Sequence, residues 1–563
     1  MQWRFFIRKL FGHRRKRGID PDEIFIDATN LPQFDEHQFE GRIERPFAKR
    51  TFVYFGMVTL FIVLLFTGRI FLLQVSKGSV YAQISENNRL NQSLIFSNRG
   101  VIYDRNNVPL AWNEKNQERD FGERVYQTKE GGAHLLGYVG YPLKDIYGFY
   151  YQEDYLGKSG IESELNERLN GTNGLKIVET DARGEVHSES VIRPPQDGGD
   201  VYLTIDVDVS AKLYQLIQER SEESGFNGGA GVIMDVRNGE ILALSSFPEY
   251  NPNDLVGGDT EVLQGYLGNV QKPFLNRALS GLYAPGSIVK PFIAIAALEE
   301  GIITPEKEIL STGALRLPNP YFPELESVFR DWKAHGLVDM REAIAVSSDV
   351  YFYEIGGGYK DQRGLGIENI DKYMKMFGFG RGTDIMVAGE AEGTIPTPAW
   401  KEETFADGVW RIGDTYHTAI GQYGFEVTAL QAVRATAALA NNGKLLKPVL
   451  EREEKTNVQE LPFDPANIAV AREGMRLSVT DGTAKGLFMQ NIDVAAKTGT
   501  AELGSRKEFV NSWIIGYFPY ENPRFAFAII MEHGPVENTI GGLYVMRRLL
   551  EWMEVEKPEY VSK

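Results

Sequence analysis

Cysteine is absent from all 563 residues. That excludes disulfides, cysteine-ligated zinc and thiol catalysis, and it leaves the redox compartment open. Histidine is scarce: none of the seven stands in an HExxH-like spacing, so the chain carries no metal signature and calls for no cofactor. Net positive charge is also missing. The chain carries −17 overall, and the part beyond residue 50 is more acidic still, which argues against nucleic acid as a partner. There is no short internal repeat and no low-complexity tract. What remains, 43% hydrophobic and 24% charged residues, describes an ordinary globular chain long enough for three or four units of roughly 150 residues.

The basic charge that exists gathers near the N-terminus, in "RKLFGHRRKRG" and in Arg45, Lys49 and Arg50. Directly after it, "FVYFGMVTLFIVLLFTG" (52–68) is free of charge, and "RIFLLQV" extends the apolar pattern past Arg69. Few soluble helices are this apolar on every side, and the run can cross about 30 Å of hydrocarbon. It lies too deep, is too long and lacks the small-x-small site of a cleaved leader. We expect a single-span signal anchor at the cytoplasmic membrane, with the N-terminus in the cytoplasm and the chain beyond about residue 75 outside.

Four parts follow: a cytoplasmic tail (1–50), the anchor (51–75), a polar, strand-rich extracytoplasmic segment (76–200) and a larger α/β unit (201–556). In the third part, Asn106-Asn107 predicts a turn, "GTNGLKIVETDARGEV" a hairpin, and "RPPQDGGD" (193–200) a linker. In the fourth, Asn238-Gly239 predicts a hairpin. "DVAAKTGTAEL", "SWIIGYFP" and "RFAFAIIMEHG" read as successive antiparallel strands, and "GGLYVMRRLLEWMEV" as a helix packed on them. Strands at both ends with a helical middle (285–445) imply one sheet shared by the terminal strands.

The chemistry starts from "YAPGSIVKPFIAIAALEEG", where Ser287 and Lys290 stand at the head of an apolar helix. The plain reading is a helix cap and a snorkelling lysine. Two further stretches change the balance: "AVSSDVYFYEIG", with Ser347 and Asp349 heading another apolar helix, and "AAKTGTAEL", with Lys497, Thr498, Gly499 and Thr500 on a strand. Taken singly, the first reads as another cap and the second as a turn. Together they stand in the order SxxK, SxD/N, KTG.

By these motifs, and by "NRGVIYDRN", "GVIMDVRNGEILALSSFPEYNPN" and "GDTYHTAIGQYGFEVTALQ", the sequence resembles the penicillin-recognising serine transpeptidases over about residues 65–550. It is most similar to the elongation-type class B penicillin-binding proteins, where the third position of the second motif is often Asp, as at Asp349. The chain departs from that pattern in a short Leu110–Gly140 stretch, where a head subdomain is usual, and in Ile288, where Thr is frequent.

The resemblance implies a serine β-lactamase/transpeptidase-like α/β (α+β) fold at 201–556, an antiparallel sheet flanked by helices with a helical subdomain. A mainly β pedestal (penicillin-binding protein dimerisation) domain with a reduced head would precede it at 76–200. It implies a peptidoglycan D,D-transpeptidase that cross-links stem peptides during cell elongation. Ser287 would be the nucleophile and Lys290, on the same helix face, its general base. Ser347 would relay the proton to the leaving amine, and Asp349 would orient Lys290 and the substrate amide. Lys497, Thr498, Gly499 and Thr500 would hold the carboxylate of a D-Ala-D-Ala donor, and the backbone N–H groups of Ser287 and Thr500 would form the oxyanion hole. An amine acceptor would resolve the acyl-enzyme, and β-lactams would trap it. The implied partner is a glycosyltransferase of the shape-elongation-division-sporulation (SEDS) family. The motifs alone leave open a division-type transpeptidase, a D,D-carboxypeptidase or β-lactamase, and, outside catalysis, a β-lactam sensor or a scaffold of the wall-synthesis complex.

Overall fold

The computed structural model describes residues 49–79, 90–180, 186–319, 322, 324–504 and 506–562. The chain divides into two units, Met1–Leu90 and Asn91–Lys563. In the first, helix α1 (Lys49–Phe71) continues into one π-helical turn, Leu72–Ser76, and none of its side chains is buried. At about 1.5 Å per residue, the 28 residues from Lys49 to Ser76 exceed the span of a hydrocarbon core. Both of its inner threonines return their hydroxyls to the helix: Thr59 Oγ1 donates to the Phe55 carbonyl at 2.8 Å and Thr67 Oγ1 to that of Val63 at 2.7 Å. Neither of these two hydroxyls needs water, which suits a membrane-crossing helix. The expected tail lies, up to residue 48, outside the described residues.

The second unit starts with two small sheets. One has the order β1-β5-β6, from β1 (Leu90–Ile95), β5 (Gly174–Thr180) and β6 (Val186–Arg193); the other has the order β7-β2-β3-β4, from β2 (Ile102–Tyr103), β3 (Pro109–Glu114), β4 (Glu123–Tyr126) and β7 (Val201–Tyr202). The turn at Asn106-Asn107 forms because Asp104 Oδ1 accepts from the Asn106 and Val108 N–H groups at 2.7 and 2.8 Å, while Asn107 takes φ +63°. The predicted hairpin is β5–β6, its turn falling at 181–185, outside the described residues. Inside this part, Glu162 receives Arg99 Nε and Arg124 Nε, each at 2.7 Å, with all three side chains fully buried. Burial by itself would raise the Glu162 pKa, but the two guanidinium groups outweigh it and hold the carboxyl below its usual value.

The stretch expected as a linker is a fixed seam instead. Thr172 and Gln196 exchange two backbone hydrogen bonds of 2.8 Å, and Asp197 and Asp200 accept from the Asn98 and Val101 N–H groups, each at 2.8 Å. The Pro-Pro and Gly-Gly pairs that read as looseness serve close packing: a Cβ on Gly198 would lie 1.8 Å from the Leu169 carbonyl oxygen.

The larger sheet has the order β9-β8-β14-β13-β12, from β8 (Gly228–Asp235), β9 (Ile241–Phe247), β12 (Ala495–Leu503), β13 (Phe509–Phe518) and β14 (Phe525–Pro535), with every neighbouring pair antiparallel. Strands from both ends of this part of the chain thus share one sheet, as expected. Alternate side chains feed two cores. Val232, Ile515 and Ala528 join one; Ile233, Ile514 and Ile529 join the other. Helices α2 (Val207–Ser224) and α9 (Gly542–Glu556) cover the second face. The alanine-rich α7 (Ala429–Ala440), buried on all sides, lies directly on the first. Sandwiched strands need no polar face, which is why β8 and β9 are buried throughout.

Candidate active site

Ser287 sits in a short 3₁₀ turn, Gly286–Val289, that runs into helix α3 (Lys290–Glu299). Pro291 falls in the first turn of α3, where its missing N–H forfeits no helical bond. The turn is pinned to the sheet backbone to backbone. Gly286 has φ +56°, and a Cβ there would lie 2.9 Å from the Thr500 carbonyl oxygen. A Cβ on Gly499 would lie 2.8 Å from both the Pro285 carbonyl oxygen and Ile288 Cγ2. Both positions therefore demand glycine. Just upstream, Trp513 Nε1 donates to the Ala284 carbonyl at 3.0 Å, and Tyr283 Oη donates to Glu532 at 2.6 Å.

Lys290 and Lys497 converge from different elements. Both are fully buried, Lys290 from α3 and Lys497 from β12. Helix α4 (Met340–Val346) ends at Ser347, which takes the left-handed conformation (φ +60°), and α5 (Asp349–Gly357) starts two residues on. The N-cap of α5 is Ser348, whose side chain accepts from the Tyr351 N–H. Capping is thus carried by the neighbour, and the Ser347 hydroxyl faces the lysines.

Lys290 Nζ donates to Asp349 Oδ1 at 2.6 Å, to the Ser347 carbonyl at 2.8 Å and to Ser347 Oγ at 3.2 Å. Lys497 Nζ donates to Ser347 Oγ and to the Thr498 carbonyl, each at 2.8 Å. Among the described residues, no hydrogen bond joins Ser287 Oγ to Lys290 Nζ, although the two residues adjoin through the Lys290 N–H on the Ser287 carbonyl. The lysines differ in kind. Lys290 Nζ makes all three of its hydrogen bonds to oxygens, one of them the Asp349 carboxylate. Burial, and then the charge of Lys290, push the Lys497 pKa well below its ordinary value, against a smaller upward pull from Asp349.

Two residues absent from the sequence reading complete the site. Asp331, its side chain wholly buried, accepts from Ser348 Oγ at 2.9 Å, the Val350 N–H at 3.0 Å and Ser311 Oγ at 3.2 Å on one oxygen. Its other oxygen accepts from the Trp332 N–H at 2.9 Å and faces His335 Nε2 at 3.4 Å. It fastens the turn that carries Ser347 and Asp349. Thr483, tied by its N–H to the Ala345 carbonyl at 3.0 Å, shares a 2.6 Å hydroxyl–hydroxyl bond with Thr498. Neither lies in a motif-like stretch; the only signal was an isolated Asp before Trp and a Gly-Thr pair.

The arrangement can do one thing well. A partly exposed serine hydroxyl lies at a helix head, beside a buried pair of lysines joined by a second hydroxyl. A proton can travel along that chain, and an anion arriving beside Lys497, whose own hydrogen bonds go to a hydroxyl and a carbonyl, would favour its charged form.

Comparison with known proteins bears on this geometry. Residues 229–546 match the penicillin binding protein transpeptidase domain, and residues 119–203 the penicillin-binding protein dimerisation domain. The chain is 33% identical over 478 residues to the peptidoglycan D,D-transpeptidase MrdA of Haemophilus influenzae, covering 77% of this chain and 70% of that one. It is 29% identical over 614 residues to the protein of the same name from Escherichia coli K12, covering 89% and 94%. Among solved structures, the complex between penicillin-binding protein PBP2 and MreC from Helicobacter pylori aligns with TM-score 0.69 and 28% identity, over 83% of this chain and 100% of that one. Pseudomonas aeruginosa PBP2 in complex with WCK 5153 aligns with TM-score 0.69 and 28% identity, over 84% and 98%.

Proposed function

The chain belongs to the penicillin-binding protein transpeptidase family, and on that premise we propose how its residues carry out peptidoglycan D,D-transpeptidation. The observation that carries the reading is Ser347 Oγ, held 2.8 Å from Lys497 Nζ and 3.2 Å from Lys290 Nζ, beside the Ser287 turn.

The donor stem peptide, ending in D-Ala-D-Ala, brings its terminal carboxylate to Lys497, Thr498 and Thr500. An anion there favours the protonated form of Lys497. A proton then passes from Lys290 through the Ser347 hydroxyl to Lys497, which leaves Lys290 neutral and next to Ser287. Lys290 takes the Ser287 proton as Oγ attacks the penultimate carbonyl, while Asp349 keeps its ammonium in place. The N–H groups of Ser287 and Thr500 receive the developing oxyanion, each donor worth about 3 kcal/mol. Collapse of the adduct breaks the C–N bond, the proton reaches the leaving D-alanine through Ser347, and an acyl-Ser287 ester remains. An amine of a neighbouring stem resolves it into a cross-link. A β-lactam enters by the same first steps and stays bound to Ser287.

The apolar helix α1 anchors the enzyme in the cytoplasmic membrane. The basic residues before it favour a cytoplasmic N-terminus and an extracytoplasmic catalytic part. Residues 76–200 serve as pedestal and 201–556 as the transpeptidase domain. The similarity to MrdA proteins supports a role in elongation, with a SEDS-family glycosyltransferase at the anchor and proximal pedestal. The Helicobacter pylori complex supports an MreC-like partner as well.

The test is intact-protein mass spectrometry after exposure to benzylpenicillin. One adduct on Ser287 that persists for many minutes is expected. An adduct elsewhere, or none, would remove Ser287 from the mechanism, and rapid turnover would make the protein a hydrolase.

A further inference from the structure

His417 has no part in the reaction as described, yet it stands on the wall of the same site. It belongs to helix α6 (Ile412–Ala419), and Gly421, just past that helix, accepts the Gly286 N–H at 2.8 Å, next to the nucleophile. The imidazole packs against two rings: Phe329, from β11 (Glu326–Arg330), with centroids 5.5 Å apart, and Tyr353, one turn beyond Asp349, at 6.2 Å. Those rings fix its plane. Among the described residues, no side chain or backbone group forms a hydrogen bond with its nitrogens, and the residue is only partly buried.

The second half of the reaction needs a group of this kind. An acceptor side-chain amine arrives at neutral pH as an ammonium, with an ordinary pKa of about 10.4. It cannot attack an ester until one proton has left. Lys290 and Lys497 are cations when charged and repel it, whereas the rings beside His417 attract cations. We propose that His417 is the general base that deprotonates the acceptor ammonium before it attacks the acyl-Ser287 ester. This rests on the transpeptidase reading above. The ammonium gives one proton to an imidazole nitrogen. Its freed lone pair forms the C–N bond to the acyl carbonyl. The C–O bond to Ser287 then breaks, the adduct's second N–H proton returns to Oγ by way of Lys290, and the imidazolium releases its proton to water.

The charged groups acting on His417 are Asp414 on its own helix, Asp349 on α5 and Lys507 from the β12–β13 loop. Burial leads these influences and keeps the imidazole below its usual 6.5, so it is neutral and able to accept a proton at pH 7.

The experiment follows acyl transfer from a thiolester donor ending in a free carboxylate to D-alanine as acceptor amine, using the full chain in detergent. Amide product is separated from hydrolysis product between pH 5 and 8. His417→Gln is expected to lower the amide-to-acid ratio at pH 7 by about a hundredfold, the low end for a positioned base, and to abolish the acid limb of amide formation. Benzylpenicillin acylation should change by less than about twofold, and free imidazole should restore amide formation in His417→Ala. An unchanged ratio with an unchanged limb would overturn the proposal. So would an equal loss of acylation and amide formation, which marks a structural role. If the unsubstituted enzyme makes no amide while acylating normally, acyl transfer itself is refuted and this role with it.

Discussion

Lys290 Nζ lies 2.6 Å from Asp349 Oδ1, so the base proposed for Ser287 rests as one half of an ion pair. Removing the anion leaves the Lys290 nitrogen buried without its carboxylate, facing Lys497 across Ser347. Asp349→Ala should therefore acylate at least about a hundredfold more slowly and unfold about 3 kcal/mol more easily, since breaking a buried pair strands a charge. Stopped-flow acylation and urea titration measure the two effects. Wild-type rates in that variant would remove the pair from the mechanism.

In the proposed mechanism, the lowered pKa of Lys497 makes the donor carboxylate part of the catalyst. A donor amidated at its terminal carboxyl should lose acylation rate at saturation as well as affinity, because Lys497 then gains no partner that favours its charge. Saturation kinetics with paired donors check this. A loss confined to apparent affinity would show that the carboxylate only binds.

Asp331 touches neither lysine, and its removal should still be felt in the chemistry. Asp331→Ala leaves Ser348 Oγ and the Val350 N–H without their acceptor, loosening the turn that carries Ser347 and Asp349. Acylation should fall by about tenfold to a hundredfold, with far-UV circular dichroism unchanged. Intact acylation would reduce Asp331 to a packing role.

Gly499 offers a steric test. A methyl group there meets the Pro285 carbonyl oxygen and Ile288 Cγ2, each at 2.8 Å, and must push the serine turn off β12. Gly499→Ala is expected to cost about a hundredfold in acylation, as displacements of an ångström do in positioned sites. A crystal structure of the variant with the turn unmoved would contradict this.

Glu249 links pH to the hold between the pedestal and the catalytic part. Its carboxyl accepts the Gly131 and Ala133 N–H groups at 2.6 and 3.0 Å, and burial raises its pKa from 4.5 to about 7. The folded state thus binds the proton more tightly than the unfolded state. Its contribution is complete below pH 4.5 and is lost as pH rises through about 7. Between pH 5 and 8, Tm of the wild type should fall relative to Glu249→Gln, which cannot ionise. Parallel curves in differential scanning calorimetry would refute the assignment.

The sequence disclosed what repeats locally or is spelled in a fixed order. The three motifs, the apolar run at 52–68 and the hairpin at Asn238-Gly239 all rest on near neighbours. Ser347 was legible as a helix-terminal serine, but not which of two adjacent serines caps the helix; that choice depends on Asp331, placed 16 residues earlier by the hairpin strands β10 (Ala314–Pro318) and β11. The pairing of Lys290 with Asp349 follows the expectation from the resemblance, whereas the expected reach of Lys290 to the Ser287 hydroxyl is not among its hydrogen bonds. Thr483 and His417 gain meaning only when distant elements close around them. Residues 193–200 read as loose because Pro and Gly mark loops and also permit tight backbone contact, and composition cannot separate these uses.

The position of β12 at the rim of its sheet carries one more consequence. A rim strand with free backbone groups invites a guest strand, which suits an extended peptide and equally suits self-association. Here the serine turn and helix α8 (Pro465–Thr480) shield much of β12, and Glu502 pairs with Lys507 near its far end. That cover shortens the rim on which a second molecule could pair, and the ion pair puts charge at its end. Solubility and substrate admission thus depend on one and the same strand edge.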